Sequence, residues 1–325
     1  MPTIRRPRKG SLQFWPRRRS KRVFARVRSW TKIKDAKPLG FAGYKVGMTH
    51  LIITDDRKTS TTKGMGIFCP ATIIECPPLK TASIKFYKNT TNGLKVASET
   101  LAENLDKELG KKIAIPKKSN KKKDEKEKDF DFIRLLVYTQ PKLTGIGKKK
   151  PELFEIGLGG NKEDQVKYAN EKLGKEIIIS EVFKEGQQLD VHAVTKGKGM
   201  QGPVKRFGIS LKNHKSEKGR RTPGSLGGWI AQGHIMWRNA KAGKMGYHPR
   251  TEYNKWLLKI GEGKDVNVKG GLKHYGVVKN TYILVKGSII GTEKRLIRIN
   301  EPSRQNKILP NIAPTIQNIN LVKAA

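Results

Sequence analysis

The sequence predicts a β-rich α+β protein with a small β-barrel, a basic N-terminal arm and a long basic central extension. Three observations support this prediction. Short β-branched runs separated by turns occur on both sides of the chain centre, as in small barrels. Helical periodicity is confined to a stretch between residues 98 and 173. Two segments are dense in Lys and Arg, and the longer one, residues 196–273, keeps neither a helical nor a strand period.

The net charge indicates a polyanionic partner. The 325 residues carry 68 Lys and Arg against 28 Asp and Glu, a net charge of +40. Such an excess repels itself in a compact chain, which disfavours an ordinary small-molecule enzyme. No stretch reaches the roughly 18 to 20 apolar residues of a membrane helix, and no apolar segment follows the basic N-terminus as in a secretory signal. We expect a cytoplasmic protein, or a nuclear one in a cell with a nucleus, with no membrane and no small-molecule substrate.

Residues 1–38 are predicted to form the basic arm. They hold fourteen Lys and Arg and one acid, Asp35, with Phe14, Trp15 and Trp30 among the cations. Aromatic rings and Arg planes can stack on bases while other cations reach phosphates. We therefore predict an arm that becomes ordered only on RNA. The alternative is an arm partly docked on its own domain.

The first part of the predicted barrel is residues 39–95, and a lobe of mixed charge follows over residues 96–176. Leu101, Leu105 and Leu109 recur every fourth residue and predict a helix over 98–110, which Gly110 would end. The second predicted helix covers residues 161–173, with Asn161 as its cap. A Lys-rich run at 116–128 is interpreted as a solvated linker. The strands predicted in these two parts are residues 41–54, 71–76, 84–87, 132–138 and 153–158.

The barrel continues in residues 177–203 and ends in residues 266–325, which include the C-terminal tail. Four β-branched runs predict strands here: residues 177–182, 189–194, 282–286 and 295–299. Cys69 and Cys76 have neither metal-ligand nor disulfide spacing, so we expect two buried thiols.

The central extension carries the functional signal. Residues 196–273 hold eighteen Lys and Arg and four acids. Within them, residues 222–237 contain no charged side chain, are rich in glycine, and include Trp229 and Trp237. Glycine permits close backbone approach to RNA, and tryptophan offers a stacking face. We predict a finger over residues 204–265 that enters a crowded RNA environment; the alternative for its tip is a buried hairpin.

Five motifs in chain order give the chain a known relative. They are RKGSLQFWPR at residues 8–17, GYKVGMT at 43–49, VKRFG at 204–208, GGW at 227–229 and GYHPRTE at 246–252. Over nearly its whole length the chain resembles the large-subunit ribosomal protein L-three family in its archaeal and eukaryotic form. The resemblance implies a translation-protein-type β-barrel with an inserted α/β lobe, an arm and an extension that thread into large-subunit rRNA. It also implies a structural RNA-binding role, and no enzyme.

The resemblance further implies early binding during subunit assembly, neighbouring large-subunit ribosomal proteins as partners, and an approach of Trp229 to the peptidyl-transferase centre. The residues that we expect to bind rRNA combine the motifs with the basic segments that flank them. They are Arg5, Arg6, Arg8, Lys9, Trp15, Arg17, Arg18, Arg19, Arg22, Lys205, Arg206, His214, Arg220, Arg221, Trp229, Trp237, Arg238, Lys244, His248 and Arg250.

Two other classes of protein remain as alternatives. An RNA-modifying enzyme or assembly factor would need a catalytic site, but no dinucleotide or P-loop motif is complete, and Pro203 stands where the P-loop requires Lys. The six histidines and two cysteines show no metal-ligand spacing, so we expect neither a metal nor a cofactor. A nucleoid protein is compatible with the charge, but the sequence has no helix-turn-helix, heptad repeat or zinc finger.

Overall fold

A computed structural model of the chain describes residues 10–57, 59–116, 130–227, 233 and 235–320. These residues divide into two compact units. The core unit comprises Val23–Ala193 and Arg250–Ala325, and the extension unit comprises Met1–Arg22 and Val194–Pro249. The predicted linker at residues 116–128 lies outside the described residues except for Pro116.

The described part of the chain is rich in β-strands, as predicted. Its strands are β1 (Gly40–Thr54), β2 (Gly66–Glu75), β3 (Leu79–Thr90), β4 (Gly93–Leu101), β5 (Phe132–Tyr138), β6 (Leu153–Gly157), β7 (Glu176–Ile177), β8 (Gln188–Val194), β9 (Met200–Gln201), β10 (Gly243–Lys244), β11 (Pro249–Gly261), β12 (Tyr282–Lys286), β13 (Leu296–Asn300) and β14 (Ile316–Asn320). Its α-helices are α1 (Lys162–Lys172), α2 (Ile179–Val182) and α3 (Pro203–Phe207). The same described residues also contain short 3-10 turns at Leu12–Phe14, Leu109–Lys111, Pro141–Leu143 and Gly263–Val266.

Seven strands form the main sheet of the core unit, in the order β13-β8-β11-β12-β2-β1-β14. Strand β13 also pairs with β1, from Gly40 opposite Asn300 to Tyr44 opposite Leu296. Six of the strands are therefore joined in a closed ring of pairings. Strand β1 comes close to β2 at Gly43, where a Cβ atom would lie 2.7 Å from the Cys76 Sγ atom. Only glycine fits this approach.

A second sheet in the core unit has the order β4-β3-β5-β6, with β7 paired to β3. Helix α1 packs beside β5 and β3. One hydrophobic cluster runs through both sheets, from Phe41 and Leu284 in the first to Ile84 and Leu135 in the second. Burial of this apolar surface stabilises the unit. Cys69 and Cys76 are both free and buried, as predicted.

Glu75 is a buried acid of the core unit whose carboxylate has several hydrogen-bond partners. The carboxylate of Glu75 accepts hydrogen bonds from the backbone N–H groups of Lys279 and Asn280, at 2.9 Å each, and from the hydroxyl of Tyr275. An unpaired carboxylate in this position would be strongly unfavourable. Glu75 thereby connects the end of β2 to the loop that precedes β12.

Two predictions of secondary structure were wrong. Residues 98–110 are not a helix: residues up to Leu101 belong to the edge strand β4, and Leu109 lies in a 3-10 turn, buried in a small second cluster. Leu101 is 43% exposed, so the regular spacing of the leucines does not describe one buried face. Residues 177–182 are not a strand: after β7 the chain turns into α2, which buries Ile179 and Val182 three residues apart. A β-branched run does not distinguish these outcomes.

Several predictions were confirmed. Strands β5 and β12 have the predicted bounds, and the other predicted strands differ mainly at their ends. Helix α1 begins after Asn161, as expected, although the Asn161 side chain makes no capping hydrogen bond. The segment without an apparent period contains a long strand, β11, which is part of the main sheet. The range predicted for the finger, residues 204–265, thus includes a strand of the core unit.

Candidate nucleic-acid interface

The extension unit concentrates the positive charge. Met1–Arg22 and Val194–Pro249 together hold twenty-one Lys and Arg and a single acid, Glu217. This net charge of +20 is half of the total charge of the chain. Like charges at this density favour a compact state only when counter-ions or an anionic partner neutralise them.

A short backbone framework holds the described part of this unit. Strands β9 and β10 pair through Gln201 opposite Gly243 and Met200 opposite Lys244. Helix α3 begins with Pro203, whose missing N–H costs nothing at that position, and ends at Gly208 in the left-handed conformation. At Gly246, with φ of +73°, a Cβ atom would lie only 1.9 Å from the carbonyl oxygen of Lys196. A side chain at Gly246 would therefore displace the backbone beside it.

Phe207 is the centre of the contact between the arm and the extension. The Trp15 ring stacks on the Phe207 ring, with centroids 5.4 Å apart and planes 16° from parallel. The Arg17 guanidinium lies 4.3 Å from the centroid of Phe207. Gly10 approaches so closely that a Cβ atom there would lie 2.5 Å from Phe207 Cδ1. Residues 10–17 are thus docked on the extension, which supports the alternative of a docked arm over the prediction of an arm ordered only on RNA.

Arg206 has its guanidinium turned toward the backbone of its own unit. It donates hydrogen bonds from Nε to the carbonyl oxygen of Lys244 at 3.1 Å and from Nη1 to that of Lys241 at 3.0 Å. Arg17 in turn donates to the carbonyl oxygen of Arg206 at 2.8 Å. Burial lowers the pKa of Arg206. These contacts join α3 to β10 and to the arm.

His248 marks a second contact between the arm and the extension. It is 6% exposed, and its Nδ1 atom lies 2.7 Å from the carbonyl oxygen of Arg18. The N–H of Ser20 donates to the carbonyl oxygen of Tyr247 at 2.8 Å, and the Arg19 guanidinium lies 5.3 Å from the Tyr247 ring centroid. The arm is therefore fixed at both ends of the stretch from Gly10 to Ser20.

Most other predicted rRNA-binding residues lie on the exposed surface of the extension unit. Trp237 is 64% exposed and meets Trp15 edge to face, with centroids 5.8 Å apart. Arg220 bonds through Nε to the carbonyl oxygen of Lys212 at 3.3 Å. Arg250 lies in the core unit, where burial lowers its pKa. The exposed cationic and polar residues from the prediction are Arg18, Arg19, Arg22, Lys205, His214, Arg220, Arg221, Arg238 and Lys244.

The remaining predicted residues, Arg5, Arg6, Arg8, Lys9 and Trp229, lie outside the described residues. Two residues of the interface, Phe207 and Tyr247, were not predicted as site residues. Both belong to motifs that the sequence analysis singled out, VKRFG and GYHPRTE. An aromatic residue next to Gly and within three residues of an Arg was the available signal, because such rings attract guanidinium groups.

The described residues contain no group of three or more His, Cys, Asp or Glu placed to hold a metal ion. Within the same part of the chain, no helix has the length and apolarity to cross a membrane.

Comparison with known proteins identifies the chain. A sequence model described as ribosomal protein L3 matches residues 1–317. The large ribosomal subunit protein uL3 of Archaeoglobus fulgidus is 48% identical over 310 residues, which cover 93% of each chain. The uL3 proteins of Methanobrevibacter smithii and Methanocaldococcus jannaschii are 47% and 45% identical, over 92% and 94% of each chain.

The fold, the basic interface and these relatives define a structural ribosomal protein and not an enzyme. The chain belongs to the ribosomal protein L3 family, and its similar relatives are archaeal. The resemblance predicted from five motifs is thus confirmed, as is the expected place in the ribosome, in the cytoplasm.

Proposed function

We propose that the chain is a structural constituent of the large ribosomal subunit that binds large-subunit rRNA directly through its extension unit. The observation that carries this proposal is the division of charge: a net +20 lies on one unit, in which the arm is docked on the extension. Each Lys or Arg that meets a phosphate releases condensed counter-ions, so a surface of this kind binds RNA strongly and in a salt-dependent way. Folded rRNA is recognised by shape and exposed bases, which suits cations mixed with aromatic rings.

The residues predicted to bind rRNA have different roles in this proposal. Exposed cations such as Arg19, Lys205 and Arg221 contact phosphates, and Trp237 offers a stacking face. Trp15, Arg17, Arg206 and His248 hold the arm and the extension in one shape, because their side chains make contacts inside the unit. Binding to a preformed surface costs less conformational entropy than binding to a disordered one.

The core unit supplies the scaffold in this proposal. We assign the ring of six paired strands to the translation-protein-type barrel, and the five-stranded sheet with α1 to the inserted lobe. The pairing of β13 with both β8 and β1 supports the first assignment, since it leaves the ring without an unpaired edge. The order β4-β3-β5-β6 beside α1 supports the second.

The test is a sucrose gradient of cell extract in high salt, probed for this chain. High salt removes proteins that adhere to RNA by charge alone. We expect the chain to sediment in a one-to-one ratio with the large subunit. If the chain dissociates from the subunit and stays at the top of the gradient, the proposal is contradicted. The protein would then be an assembly factor, an RNA-modifying enzyme or a nucleoid protein.

The proposal includes support of early subunit assembly, contact with neighbouring ribosomal proteins, and a finger whose tip, with Trp229, reaches toward the peptidyl-transferase centre. The charge-free, glycine-rich sequence around Trp229 supports this part. Trp229→Ala should leave incorporation into the subunit nearly intact and alter the rate or fidelity of translation. Loss of incorporation in that variant would show that Trp229 acts in assembly instead.

A further inference from the structure

A cavity of about 1080 Å³ lies within the core unit. Residues 28–34, from the second part of the predicted basic arm, line it, but none of the individual residues named above as rRNA-binding does. Three segments form most of its lining: residues 28–34, the start of β5 with Asp131 before it, and residues 157–162 from the end of β6 to the start of α1. Its size is at the upper end of the range for small-molecule pockets, so it exceeds what a single phosphate ion needs.

The segment with residues 28–34 is held in place by the glycine-rich turn before α1. The Trp30 ring lies against Gly157, where a Cβ atom would be 2.9 Å from Trp30 Cγ. The N–H of Gly160 donates to the carbonyl oxygen of Ile33 at 2.8 Å, and that of Gly159 donates to Lys37 at 3.0 Å. The basic side chains of this segment therefore start from a fixed backbone.

The charges that line the cavity are unbalanced. Its basic residues are Arg28, Lys32, Lys34, Arg134 and Lys162, and its one acid is Asp131. The last two of these cations have partners: Arg134 pairs with Glu155 at 3.2 Å and Lys162 with Asp131 at 3.6 Å.

The first three cations lack such partners. Within the described part of the chain, no ion pair or side-chain hydrogen bond neutralises Arg28, Lys32 or Lys34. Three positive charges on a seven-residue segment repel one another, and an anionic ligand would relieve that repulsion. The start of α1 lies at the same cavity, and Asn161 makes no capping hydrogen bond there, so backbone N–H groups add to the donors.

We propose that this cavity holds a stretch of RNA backbone, with Arg28, Lys32 and Lys34 against successive phosphates. The inference deepens the proposed function, on which it rests, by adding a second rRNA-binding surface in the core unit. RNA fits better than a small anion because of the volume, and because three separate cations match a chain of phosphates rather than one charge. Arg28 suits a bidentate phosphate contact, whereas the two lysines act as point charges.

The first test compares two triple variants of the full-length chain. One carries Arg28→Gln, Lys32→Gln and Lys34→Gln. The matched control carries Lys95→Gln, Lys107→Gln and Lys111→Gln, which are exposed lysines of the same unit that do not line the cavity. Both variants lose three charges, and both must keep the thermal unfolding midpoint of the unchanged chain.

The readout is binding to purified large-subunit rRNA over a range of salt concentrations. Each lost phosphate contact lowers the slope of log K against log salt by about 1. We expect the slope to fall by about 2 to 3 in the cavity variant and to change little in the control. Equal slopes in the two variants would overturn the inference.

A second test uses acetylation of lysines in the intact subunit. Lys32 and Lys34 should be labelled in the free chain and lose that labelling in salt-washed subunits, then regain it after digestion with ribonuclease. Unchanged labelling in the subunit would overturn the inference, and protection that survives ribonuclease would assign the cavity to a protein segment instead. Absence of the chain from the subunit would contradict the proposed function itself, so the two failures are distinguishable.

Discussion

At the scale of single residues, one side chain that looks like an ordinary apolar residue organises the interface. Phe207 presents its ring to Trp15, to Arg17 and to Arg206, whose guanidinium lies 5.0 Å from the ring centroid. An aromatic pair and a cation–π contact contribute about 1 to 2 kcal/mol together. Phe207 thus holds one end of the docked stretch, while His248 and Tyr247 hold the other, and losing the Phe207 contacts should loosen the arm around Trp15 and Arg17.

Phe207→Leu should loosen the arm around Trp15 and Arg17 while keeping an apolar side chain at position 207. If the docked state of the arm loses about 1 to 2 kcal/mol of stabilising free energy, the population of the undocked arm rises about 5- to 30-fold. Limited trypsin digestion of the free protein should then cleave faster at Arg17, Arg18 and Arg19. Phe68→Leu, at a 67% exposed position in the core unit, is the matched control and should leave cleavage of the arm unchanged. Equal cleavage in both variants would show that Phe207 does not hold the arm.

His192 gives the core unit a defined response to acid. Burial, with Arg298 nearby, lowers the pKa of His192 to about 4, although Asp190 acts in the opposite direction. The unfolded chain binds this proton at its ordinary pKa of about 6.5. The contribution of neutral His192 to stability is therefore complete above pH 6.5 and is lost as the pH falls from 6.5 through 4.

Comparison with His192→Gln isolates this effect from the titration of carboxylates. Between pH 7 and pH 5 the free energy of unfolding should fall by about 2 kcal/mol more in the unchanged protein than in the variant. Chemical denaturation at the two pH values measures the difference. Parallel decreases would mean that His192 keeps an ordinary pKa in the folded protein.

At the scale of elements, the basic arm divides into two parts. Residues up to Arg22 belong to the extension unit, and the following residues belong to the core unit. Phe24, Ala25 and Val27 are buried, and Trp30 packs against the main hydrophobic cluster. The apolar residues that alternate with the cations therefore have a structural function in the second part of the arm.

Two deletions should separate these functions. Deletion of residues 1–22 removes nine Lys and Arg and no acid, so it should lower affinity for rRNA and impair subunit assembly while the core unit keeps its unfolding temperature. Deletion of residues 1–38 should in addition lower that temperature, because it removes buried side chains. Calorimetry and the yield of large subunits measure the two effects. A normal subunit yield after the longer deletion would contradict an essential arm.

At the scale of the whole molecule, charge and packing are divided between the two units. The core unit carries the two larger sheets and the main hydrophobic cluster, whereas the extension unit carries half of the net charge on far fewer residues. A compact core tolerates the remaining charge because part of it is paired, as in Lys37 with Glu301 at 2.7 Å. The extension unit has one acid and so depends on an external anion.

Binding to rRNA should therefore depend steeply on salt. A surface with 6 to 10 phosphate contacts loses about 10³- to 10⁵-fold in affinity between 50 and 200 mM salt, and filter binding measures that slope. Competition measures the specificity of binding. Unlabelled large-subunit rRNA should compete with labelled rRNA for the chain far better than duplex DNA of equal charge does. Equal competition by the two polymers would favour a nucleoid protein.

The sequence by itself determined the class of partner, the family and most strands. The class of partner follows from the net charge, which depends on composition alone. Strands β5 and β12 are short, mostly apolar runs, and such runs are buried whichever strands they pair with. Local pattern failed where the tertiary environment decides the outcome. The leucines of residues 98–110 have helical spacing, but the free edge of β3 pairs with β4 instead.

Only the tertiary structure decided which cations are available to a ligand. Arg206 and Arg221 are equivalent in sequence terms, yet Arg206 donates to two carbonyl oxygens of its own unit while Arg221 is exposed. In the same way Arg28, Lys32 and Lys34 gain significance from the cavity that they share with residues far away in the chain. Contacts between distant residues depend on how the chain folds back on itself, and no local pattern of residues contains that information.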